Sequence, residues 1–246
     1  MYSIDLNCDM GEEMAYDGEI MPFISSANIA CGYHAGNPEV MRRTVEMAVL
    51  RGVAVGAHPG FDDRANFGRT EMRLDPTALY DLVAIQIDRL RTICASAGIR
   101  LHHVKPHGAL YNMAAKDISM SRTIASAIKD ADPGLVLYGL SGSCLIDAAI
   151  EREVRTASEV FADRTYQPDG SLTPRKSAGA LIENEDKAIT QVLGMIRQGT
   201  VVSLPGEVVP IRAETVCIHG DGAHAVDFAL RIQQTLKNNG IEIKVP

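Results

Sequence analysis

The sequence is organised around His103-Val104-Lys105-Pro106-His107-Gly108-Ala109-Leu110-Tyr111-Asn112, where a predicted strand ends beside a lysine and a histidine. Pro106 has no backbone N–H and favours an extended Lys105, so the strand over 101–104 should end here. Side chains two apart in an extended chain share a face, so Lys105 and His107 should point the same way. A fixed cation beside a group that titrates near neutral pH suits an anionic or carbonyl substrate and proton transfer. The alternative interpretation is a capping histidine and a surface lysine.

A recurring layout extends from this stretch along the chain: a short apolar strand, then glycine and an ionisable residue, then a capped helix. Strands are predicted over 2–6, 27–30, 53–55, 101–104, 135–140, 154–157 and 215–218. Helices are predicted over 38–50, 76–97, 120–129, 180–197 and 224–237, with a hairpin or an edge ribbon near 201–211 and a short closing strand over 241–245. Alternating strands and helices predict a parallel sheet, and about seven such units favour a closed or nearly closed parallel β/α barrel.

Composition narrows the class of protein. The 246 residues are 46% hydrophobic and 22% charged, which is enough to bury one large core. No linker divides the chain, so we expect a single barrel domain over residues 1–246. The net charge of -7 argues against a nucleic-acid partner and against an anionic membrane surface, so the expected partner is a small molecule.

The N-terminus and the cysteines predict a cytoplasmic protein. The chain starts without a basic segment or an apolar signal region, and no apolar run approaches the length of about 18 residues that a membrane helix needs. The five cysteines are scattered without a Cys-x-x-Cys pair, which predicts neither a disulfide framework nor a zinc knuckle.

Ionisable side chains follow most of the predicted strands. In a parallel barrel the loops after the strands meet at one mouth, so these side chains should converge there. They are Asp9, His34, His58, Lys105, His107, Glu159, Asp163, His219 and Asp221. A single histidine is more often a hydrogen-bonded structural residue, but four at strand exits of the same kind favour a functional site. The remaining histidines, His102, His103 and His224, are interpreted as structural.

The first strand exit reads Asn7-Cys8-Asp9-Met10-Gly11-Glu12-Glu13. Asp9 and Glu12 are candidate metal ligands or general bases, and the alternative is a turn with helix N-cap carboxylates. A metal is inferred only from the convergence of imidazole and carboxylate groups, because the chain has no His-Glu-x-x-His or cysteine zinc motif. It also has no P-loop, no Gly-x-Gly-x-x-Gly turn after a strand and no Gly-x-Ser-x-Gly elbow.

Two loops are further candidates for ligand binding. Residues 159–176 form a long polar connection without helical periodicity, which is typical of a lid or a binding loop. Ser141-Gly142-Ser143 precedes a predicted helix and suits either an anion site or an ordinary cap.

Seven segments of the chain resemble the LamB/YcsF family, the A subunits of 5-oxoprolinase, once called lactam utilisation proteins. The segments are 5–12 (DLNCDMGE), 27–36 (ANIACGYHAG), 56–59 (GAHP), 67–69 (FGR), 104–112 (VKPHGALYN), 159–164 (EVFADR) and 219–221 (HGD). They follow one another over nearly the whole chain, which makes the resemblance specific. Asn37 stands where the family usually has Asp, and Asp62 and Ala65 stand in a loop that usually carries Pro and Gly.

The resemblance implies a fold and a reaction. The fold would be a seven-stranded parallel β/α barrel similar to the polysaccharide deacetylase and related glycoside hydrolase folds. The reaction would be the ATP-dependent opening of 5-oxo-L-proline to L-glutamate, with Mg-ATP as the cofactor and release of ADP and phosphate. The implied partners are subunits B and C of a 5-oxoprolinase, and the chain is compatible with a homo-oligomer.

We assign hypothetical roles to the matching positions. The candidate catalytic residues are Asp9, Glu12, Lys105 and His107. The candidate substrate-binding residues are Asn7, Arg69, Glu159, Asp163, Arg164, His219 and Asp221. Lys105 and Arg164, with Arg69, would hold the substrate carboxylate or the developing phosphate charge. Asp9, Glu12 or His107 would activate water, and His34 and His58, with Asp9, would orient that water or bind a divalent ion.

Two other functions fit the same residues. A metal-dependent hydrolase or deacetylase would act without ATP and would contain bound metal. A non-catalytic substrate-binding or scaffold protein would bind the lactam while its partners carry out the chemistry, and the absence of a known nucleotide motif in the sequence slightly favours this function over an independent ATPase.

Overall fold

Seven parallel strands close into a ring in the computed structural model of this chain, which describes residues 2–218 and 225–246. The strands of the described residues are β1 (Ser3–Met10), β2 (Ser26–Ala30), β3 (Ala54–His58), β4 (His103–Val104), β5 (Val136–Leu140), β6 (Arg155–Phe161), β7 (Thr200–Val202), β8 (Val208–Pro210), β9 (Thr215–Ile218) and β10 (Glu242–Ile243). The ring runs β1-β2-β3-β4-β5-β6-β9, and β9 pairs again with β1. The predicted seven-stranded parallel barrel is therefore confirmed.

Helices connect the strands and pack against the ring. Those of the described residues are α1 (Asp17–Ile20), α2 (Pro38–Arg51), α3 (Pro76–Ser96), α4 (Gly108–Ala114), α5 (Ile118–Ala131), α6 (Cys144–Glu151), α7 (Glu185–Gln198) and α8 (Ala225–Asn238). One apolar core joins strand residues such as Leu6 and Met10 to helix residues such as Val45 and Ile87. No helix among residues 2–218 and 225–246 is long and apolar enough to cross a membrane, and all five cysteines are free thiols.

The inside of the ring is largely polar. Ser26 on β2 and Tyr138 on β5 are hydrogen-bonded at 3.1 Å, although their strands are not neighbours. Lys105, directly after β4, reaches Asn7 Oδ1 on β1 at 3.1 Å. Asp5 accepts hydrogen bonds from three hydroxyl groups. These contacts cross the lumen, so polar side chains fill the space that an apolar core usually occupies in a small barrel.

This polar lumen explains why several strands are longer than predicted. The prediction ended β1, β3 and β6 at residues 6, 55 and 157, whereas the strands continue to Met10, His58 and Phe161. Side chains alternate along a strand, so Asn7 and Asp9 point into the lumen while their apolar neighbours face the helices. Polar residues therefore mark the inner face of these strands and not their ends.

Most of the predicted helices begin and end close to where the sequence places them, and two differences stand out. Asn37 accepts hydrogen bonds from two backbone N–H groups at the start of α2, as its position before a proline predicts. The helix predicted over 180–197 begins only at Glu185, because Leu181 pairs with Arg164 as an isolated bridge and Asn184 caps α7. The short helix α4 was not predicted, since seven residues are too few to reveal a helical period.

Short strands complete the fold. Strands β7 and β8 form the predicted antiparallel hairpin. The predicted closing strand is β10, which pairs with the start of β1 through Ser3 and Ile4.

A substitution of Gly56 on β3 would test how tightly the lumen is packed. A Cβ atom at residue 56 would lie 2.1 Å from the imidazole of His103. That ring is hydrogen-bonded to Asn28 Oδ1 at 2.8 Å and stacks on Tyr138 at 4.1 Å, so it is held in place from two sides. We expect Gly56→Ala to lower the free energy of unfolding by about 2–3 kcal/mol, measured by urea denaturation.

The matched control is Gly194→Ala in α7. Beyond its own helix and chain neighbours, the nearest atom to the added Cβ would be the carbonyl oxygen of Thr200 at 3.9 Å. Alanine should therefore raise the free energy of unfolding by about 0.5–1 kcal/mol through its better helix propensity. Equal changes in the free energy of unfolding for Gly56→Ala and Gly194→Ala would contradict the tight packing of His103 against Gly56.

Candidate functional site

A cavity of about 1080 Å³ opens at the carboxyl ends of the barrel strands. Its floor includes Asp9, His58 and Lys105, which lie at or directly after the ends of β1, β3 and β4. Its walls include α4 and the loop that follows β6. The structure therefore brings together side chains from widely separated strand exits, as the barrel geometry predicts.

Lys105 is the central cation of the floor. Its Nζ lies 2.8 Å from Glu159 Oε1 and 3.0 Å from Asp9 Oδ1. It also donates to Asn7 Oδ1 at 3.1 Å and contacts Cys217 Sγ at 3.2 Å. The Lys105 side chain is only 3% exposed. The carboxylates of Asp9 and Glu159 hold its ammonium group in one place at the cavity floor.

The neighbouring carboxylates keep the side chain of Lys105 positively charged. Burial by itself favours the neutral amine, but the carboxylates of Asp9 and Glu159 outweigh it and hold the pKa of Lys105 well above its ordinary value. The residue is therefore a permanent cation suited to binding a developing negative charge, and it is unsuited to accepting a proton.

Two predicted substrate-binding residues lie beneath the floor instead of facing the cavity. Asn7 and Glu159 are fully buried and are not among the residues that line the cavity. The amide of Asn7 donates to Glu159 at 3.0 Å, and the hydroxyl of Tyr111 donates to the other Glu159 oxygen at 2.7 Å. These positions suit a support for Lys105 more than a contact with substrate.

Asp9 is the carboxylate of the floor that faces the cavity. Its side chain is 19% exposed, and Oδ1 accepts from Lys105 and from Asn28 Nδ2 at 2.8 Å. Oδ2 lies 3.4 Å from His58 Nε2. One oxygen is therefore fixed by donors while the other lies near an imidazole, an arrangement suited to orienting and deprotonating a water molecule.

Next to Asp9, Glu12 and three histidines form a buried cluster. One candidate ligand atom from each of Glu12, His34, His58 and His107 lies within 4.8 Å of the others. Burial, with Asp9 nearby, raises the pKa of Glu12. Burial and the neighbouring imidazoles lower the pKa of His107 to about 3, and burial with His58 lowers the pKa of His34 to about 2. Both rings are therefore neutral near pH 7.

The cluster contains the two histidines that the sequence marked as candidate metal ligands. His34 and His58 pack edge to face with ring centroids 5.4 Å apart. Glu12 and His107, predicted as catalytic, are brought into the same cluster, and Asp9 lies at its edge.

The remaining predicted substrate-binding residues are distributed around the cavity. Arg69 and Arg164 line it, whereas Asp163 does not. Arg164 is 8% exposed and donates to the carbonyl of Thr173, and its buried Nε has no hydrogen-bond partner among the described residues. His219 and Asp221 lie outside the described residues.

The residues that line the cavity are more often basic than acidic. Seven lining residues are Lys or Arg and four are Asp or Glu, although the whole chain has a net charge of -7. The cations are Arg69, Arg73, Lys105, Lys116, Arg164, Arg175 and Lys176. The field at the mouth therefore favours an anionic ligand.

The loop after β6, predicted as a lid or a binding loop, borders the cavity. It contains no helix between Phe161 and Glu185, and residues 171–176 line the cavity. The other candidate loop does not reach the site, because Ser141, Gly142 and Ser143 are not among the lining residues and Ser143 makes no side-chain cap.

Sequence reasoning did not single out Asn28 or Tyr111. Asn28 joins Asp9, Asn7 and His103 through hydrogen bonds. Tyr111 follows His107 by one helical turn in α4, so its position in the opening stretch is the signal that could have identified it.

Comparison with known proteins gives a family and a fold. The model of the LamB/YcsF family matches residues 4–246. A protein of Tolumonas auensis that is named as the A subunit of 5-oxoprolinase is 53% identical over 249 residues, covering 99% of each chain. The crystal structure of a lactam utilization protein from Thermus thermophilus is 41% identical, with a TM-score of 0.93 and coverage of 99% of this chain and 100% of that one.

A more distant structure shares the fold alone. The family 4 carbohydrate esterase of Streptomyces lividans is 15% identical with a TM-score of 0.50, over 98% of this chain and 91% of that one. The predicted similarity to deacetylase folds is therefore confirmed.

Proposed function

This chain belongs to the LamB/YcsF family, and from that membership we propose that it is a subunit of a 5-oxoprolinase that hydrolyses the lactam of 5-oxo-L-proline to L-glutamate. The names of its relatives support this function, since they are named for a 5-oxoprolinase and for lactam utilization. The observation that carries the proposal is the floor of the cavity, where the fixed ammonium of Lys105 lies 3.0 Å from the cavity-facing carboxylate of Asp9.

The two polar ends of the substrate match two parts of the cavity. 5-Oxo-L-proline carries a carboxylate and a lactam carbonyl. Arg164 is a buried cation whose Nε has no hydrogen-bond partner among the described residues, so it is suited to binding the carboxylate. The carbonyl would then lie toward Lys105, whose ammonium group would stabilise negative charge that develops on the oxygen.

ATP would make this stable amide reactive. Transfer of the γ-phosphoryl group to the lactam oxygen gives the ring carbon an activated substituent, and water then attacks that carbon. Breaking the C–N bond leaves an acyl phosphate, which a second water converts to glutamate and phosphate. The cavity of about 1080 Å³ exceeds the usual upper range of about 1,000 Å³ for a small-molecule site, so there is room for the phosphates of Mg-ATP beside the basic residues that line it.

Asp9 is the group best placed to activate water. Its Oδ1 is fixed by Lys105 and Asn28, and its Oδ2 lies 3.4 Å from His58 Nε2, so the carboxylate is held in one orientation at the cavity. His107 and Glu12 were alternative bases, but His107 has a pKa near 3 because of burial and its imidazole neighbours, and the side chain of Glu12 is only 8% exposed.

The relatives are named as one lettered subunit of an enzyme, which implies an assembly of several chains. We therefore propose that subunits B and C are the partners of this chain and that they contribute to ATP binding, since the sequence contains no recognised nucleotide motif.

A second function is a hydrolase that acts without ATP. The cluster of Glu12, His34, His58 and His107 favours it, because imidazole and carboxylate ligands could bind a metal that activates water directly. The two functions differ in a simple observable, since only the first requires ATP for glutamate release.

Arg164 provides a test of substrate recognition. We expect the assembled complex to bind 5-oxo-L-proline at least about 100-fold more tightly than 2-pyrrolidone, which lacks the carboxylate, because Arg164 Nε would be left without an acceptor. Arg164→Gln should remove most of this difference. Equilibrium dialysis with labelled ligands measures both affinities.

The control is Arg42→Gln on the exposed face of α2, which should leave both affinities unchanged. Equal binding of the two lactams by the wild-type complex would contradict the proposed substrate, and full discrimination by Arg164→Gln would move the carboxylate site elsewhere.

A further inference from the structure

The histidine cluster contains an unusual contact between two ring nitrogens. His58 Nε2 and His107 Nδ1 lie 2.9 Å apart and are buried beside Glu12. At this distance one nitrogen has to donate a proton to the other, or both have to face a cation. The positions of the ring protons decide between these states.

The outer nitrogens of the two rings fix those protons. His58 Nδ1 lies 2.7 Å from the backbone carbonyl of Lys105, and His107 Nε2 lies 2.9 Å from the backbone carbonyl of Phe67. A carbonyl oxygen only accepts, so each outer nitrogen carries a hydrogen. In a neutral imidazole the other nitrogen then has a lone pair and no hydrogen. When both rings are neutral, the two inner nitrogens direct lone pairs into the same space. Burial opposes charge on His58, but the carboxylate of Asp9 outweighs burial and raises the pKa of His58, which in the metal-free protein favours a proton on His58 Nε2 in that space.

Carboxylates surround that space as well. Glu12 Oε1 lies 3.3 Å from His107 Nδ1 and 3.8 Å from His58 Nε2. Asp9 Oδ2 lies 3.4 Å from His58 Nε2. The neighbouring cation Lys105 is held between Asp9 and Glu159. Carboxylate oxygens and imidazole nitrogens thus converge on one point.

We propose that this point is a binding site for a divalent transition-metal ion, with Glu12, His58 and His107 as its ligands. Metal bonds of about 2.0–2.2 Å place ligand atoms roughly 3–3.5 Å apart. The separations of 2.9, 3.3 and 3.8 Å among the three atoms bracket that range. The two backbone carbonyls that accept from the outer nitrogens are the partners that orient histidine ligands in metal sites.

The ligand set also selects the class of metal. Two imidazoles and one carboxylate suit Zn²⁺, Fe²⁺ or Co²⁺, whereas Mg²⁺ prefers oxygen ligands. The site is therefore distinct from the magnesium that accompanies ATP in the proposed function.

His34 is a positioning residue of this site and not a ligand. Its Nε2 lies 3.2 Å from Glu12 Oε1, and its buried Nδ1 has no hydrogen-bond partner among the described residues. A proton on Nε2 satisfies Glu12, whereas metal binding through Nε2 would leave an N–H buried on Nδ1 without an acceptor, at a cost of about 1–3 kcal/mol. The ring of His34 also stacks on His107 at 3.8 Å, which fixes both side chains.

Titration of the metal-free full-length chain with Co²⁺ and with Zn²⁺ tests the proposal. We expect one ion per chain, measured by calorimetry and elemental analysis, and visible cobalt absorption bands. His58→Asn, His107→Asn and Glu12→Gln should each weaken binding by at least about 100-fold. Circular dichroism checks that each variant is folded, and Glu12→Gln, which is nearly isosteric, covers the case in which a histidine variant does not fold.

Two further variants separate ligands from their neighbours. His34→Phe should lower the affinity by about 10–100-fold while keeping one ion per chain and the same cobalt spectrum. His102→Asn, a histidine variant outside the cluster, should bind like the wild type.

Failure of the wild-type chain to take up either ion would overturn the proposal, and a proton shared between His58 and His107 would then explain their contact. Uptake that persists in all three ligand variants would overturn it as well. Metal uptake is measured without lactam, ATP or partner subunits, so its outcome is independent of the proposed function.

Discussion

Lys105→Met is expected to lower lactam hydrolysis by at least about 10²–10³-fold and to lower the free energy of unfolding by about 3–5 kcal/mol. The loss of stability follows from charge. The ammonium of Lys105 lies between Asp9 and Glu159, and its removal leaves the fully buried Glu159 without this counter-charge. Methionine has nearly the same length, so the change is in charge and hydrogen bonding and only slightly in volume.

The loss of activity has a separate cause. Lys105 is the cation at the cavity floor that would bind the lactam oxygen, and its raised pKa favours the charged form. Arg164, the other buried cation that lines the cavity, is assigned to the carboxylate end of the substrate and would not replace it.

Urea denaturation and glutamate release by the assembled complex measure the two effects. Lys187→Met, an exposed lysine on α7, is the matched control and should change neither. A folded Lys105→Met variant that retains full turnover would exclude the floor of the cavity as the reaction site.

Asp9→Asn is expected to lower turnover by about 10²–10⁴-fold and to lower the free energy of unfolding by about 1–3 kcal/mol, less than Lys105→Met does. Asparagine keeps the shape of the side chain and an oxygen that accepts from Lys105 and Asn28, but it cannot take a proton from water. The loss of stability arises because Lys105 then keeps only the Glu159 carboxylate as a counter-charge. The 19% exposure of Asp9 and the relief of its repulsion with Glu12 limit this loss.

Lys105→Met and Asp9→Asn should differ in how much they change stability relative to turnover. Both residues should contribute to the chemistry, whereas Lys105 should contribute more to stability than Asp9 does. If Asp9→Asn changes the affinity for the lactam and leaves the catalytic rate unchanged, the chain is better explained as a non-catalytic substrate-binding subunit.

The barrel itself could be predicted because local rules agree with the global fold. Alternating strands and helices, proline and glycine at the helix ends and the Asn37 cap all indicated parallel units of about the right length. The strand ends were less predictable, since polar residues usually mark a loop and here they also line the lumen. Asn7 and Asp9 look alike in sequence, and only the ring shows that both face inward.

The sequence does not show how deep a side chain lies along the barrel axis. Asn7 and Asp9 point the same way from β1, but Asn7 is completely buried and Asp9 reaches the cavity. Glu159 was predicted to bind substrate and is likewise buried beneath the floor. The sequence could therefore indicate which side chains converge, but not which of them would be accessible to a ligand.

For the histidines, the sequence predicted that they meet but not how their roles differ. Their positions at strand exits predicted that His34, His58 and His107 would meet. The contacts that distinguish their roles are with backbone carbonyls of Lys105 and Phe67, and no side-chain pattern encodes those contacts.

Glutamate release from 5-oxo-L-proline by the purified chain with subunits B and C is the measurement that tests the central claim most directly. We predict one glutamate and one ADP per turnover, with no product when this chain, the partner subunits or Mg-ATP is omitted. Glutamate release that continues at an equal rate without this chain would contradict its role in the reaction, and release that continues without ATP would contradict the proposed activation of the lactam.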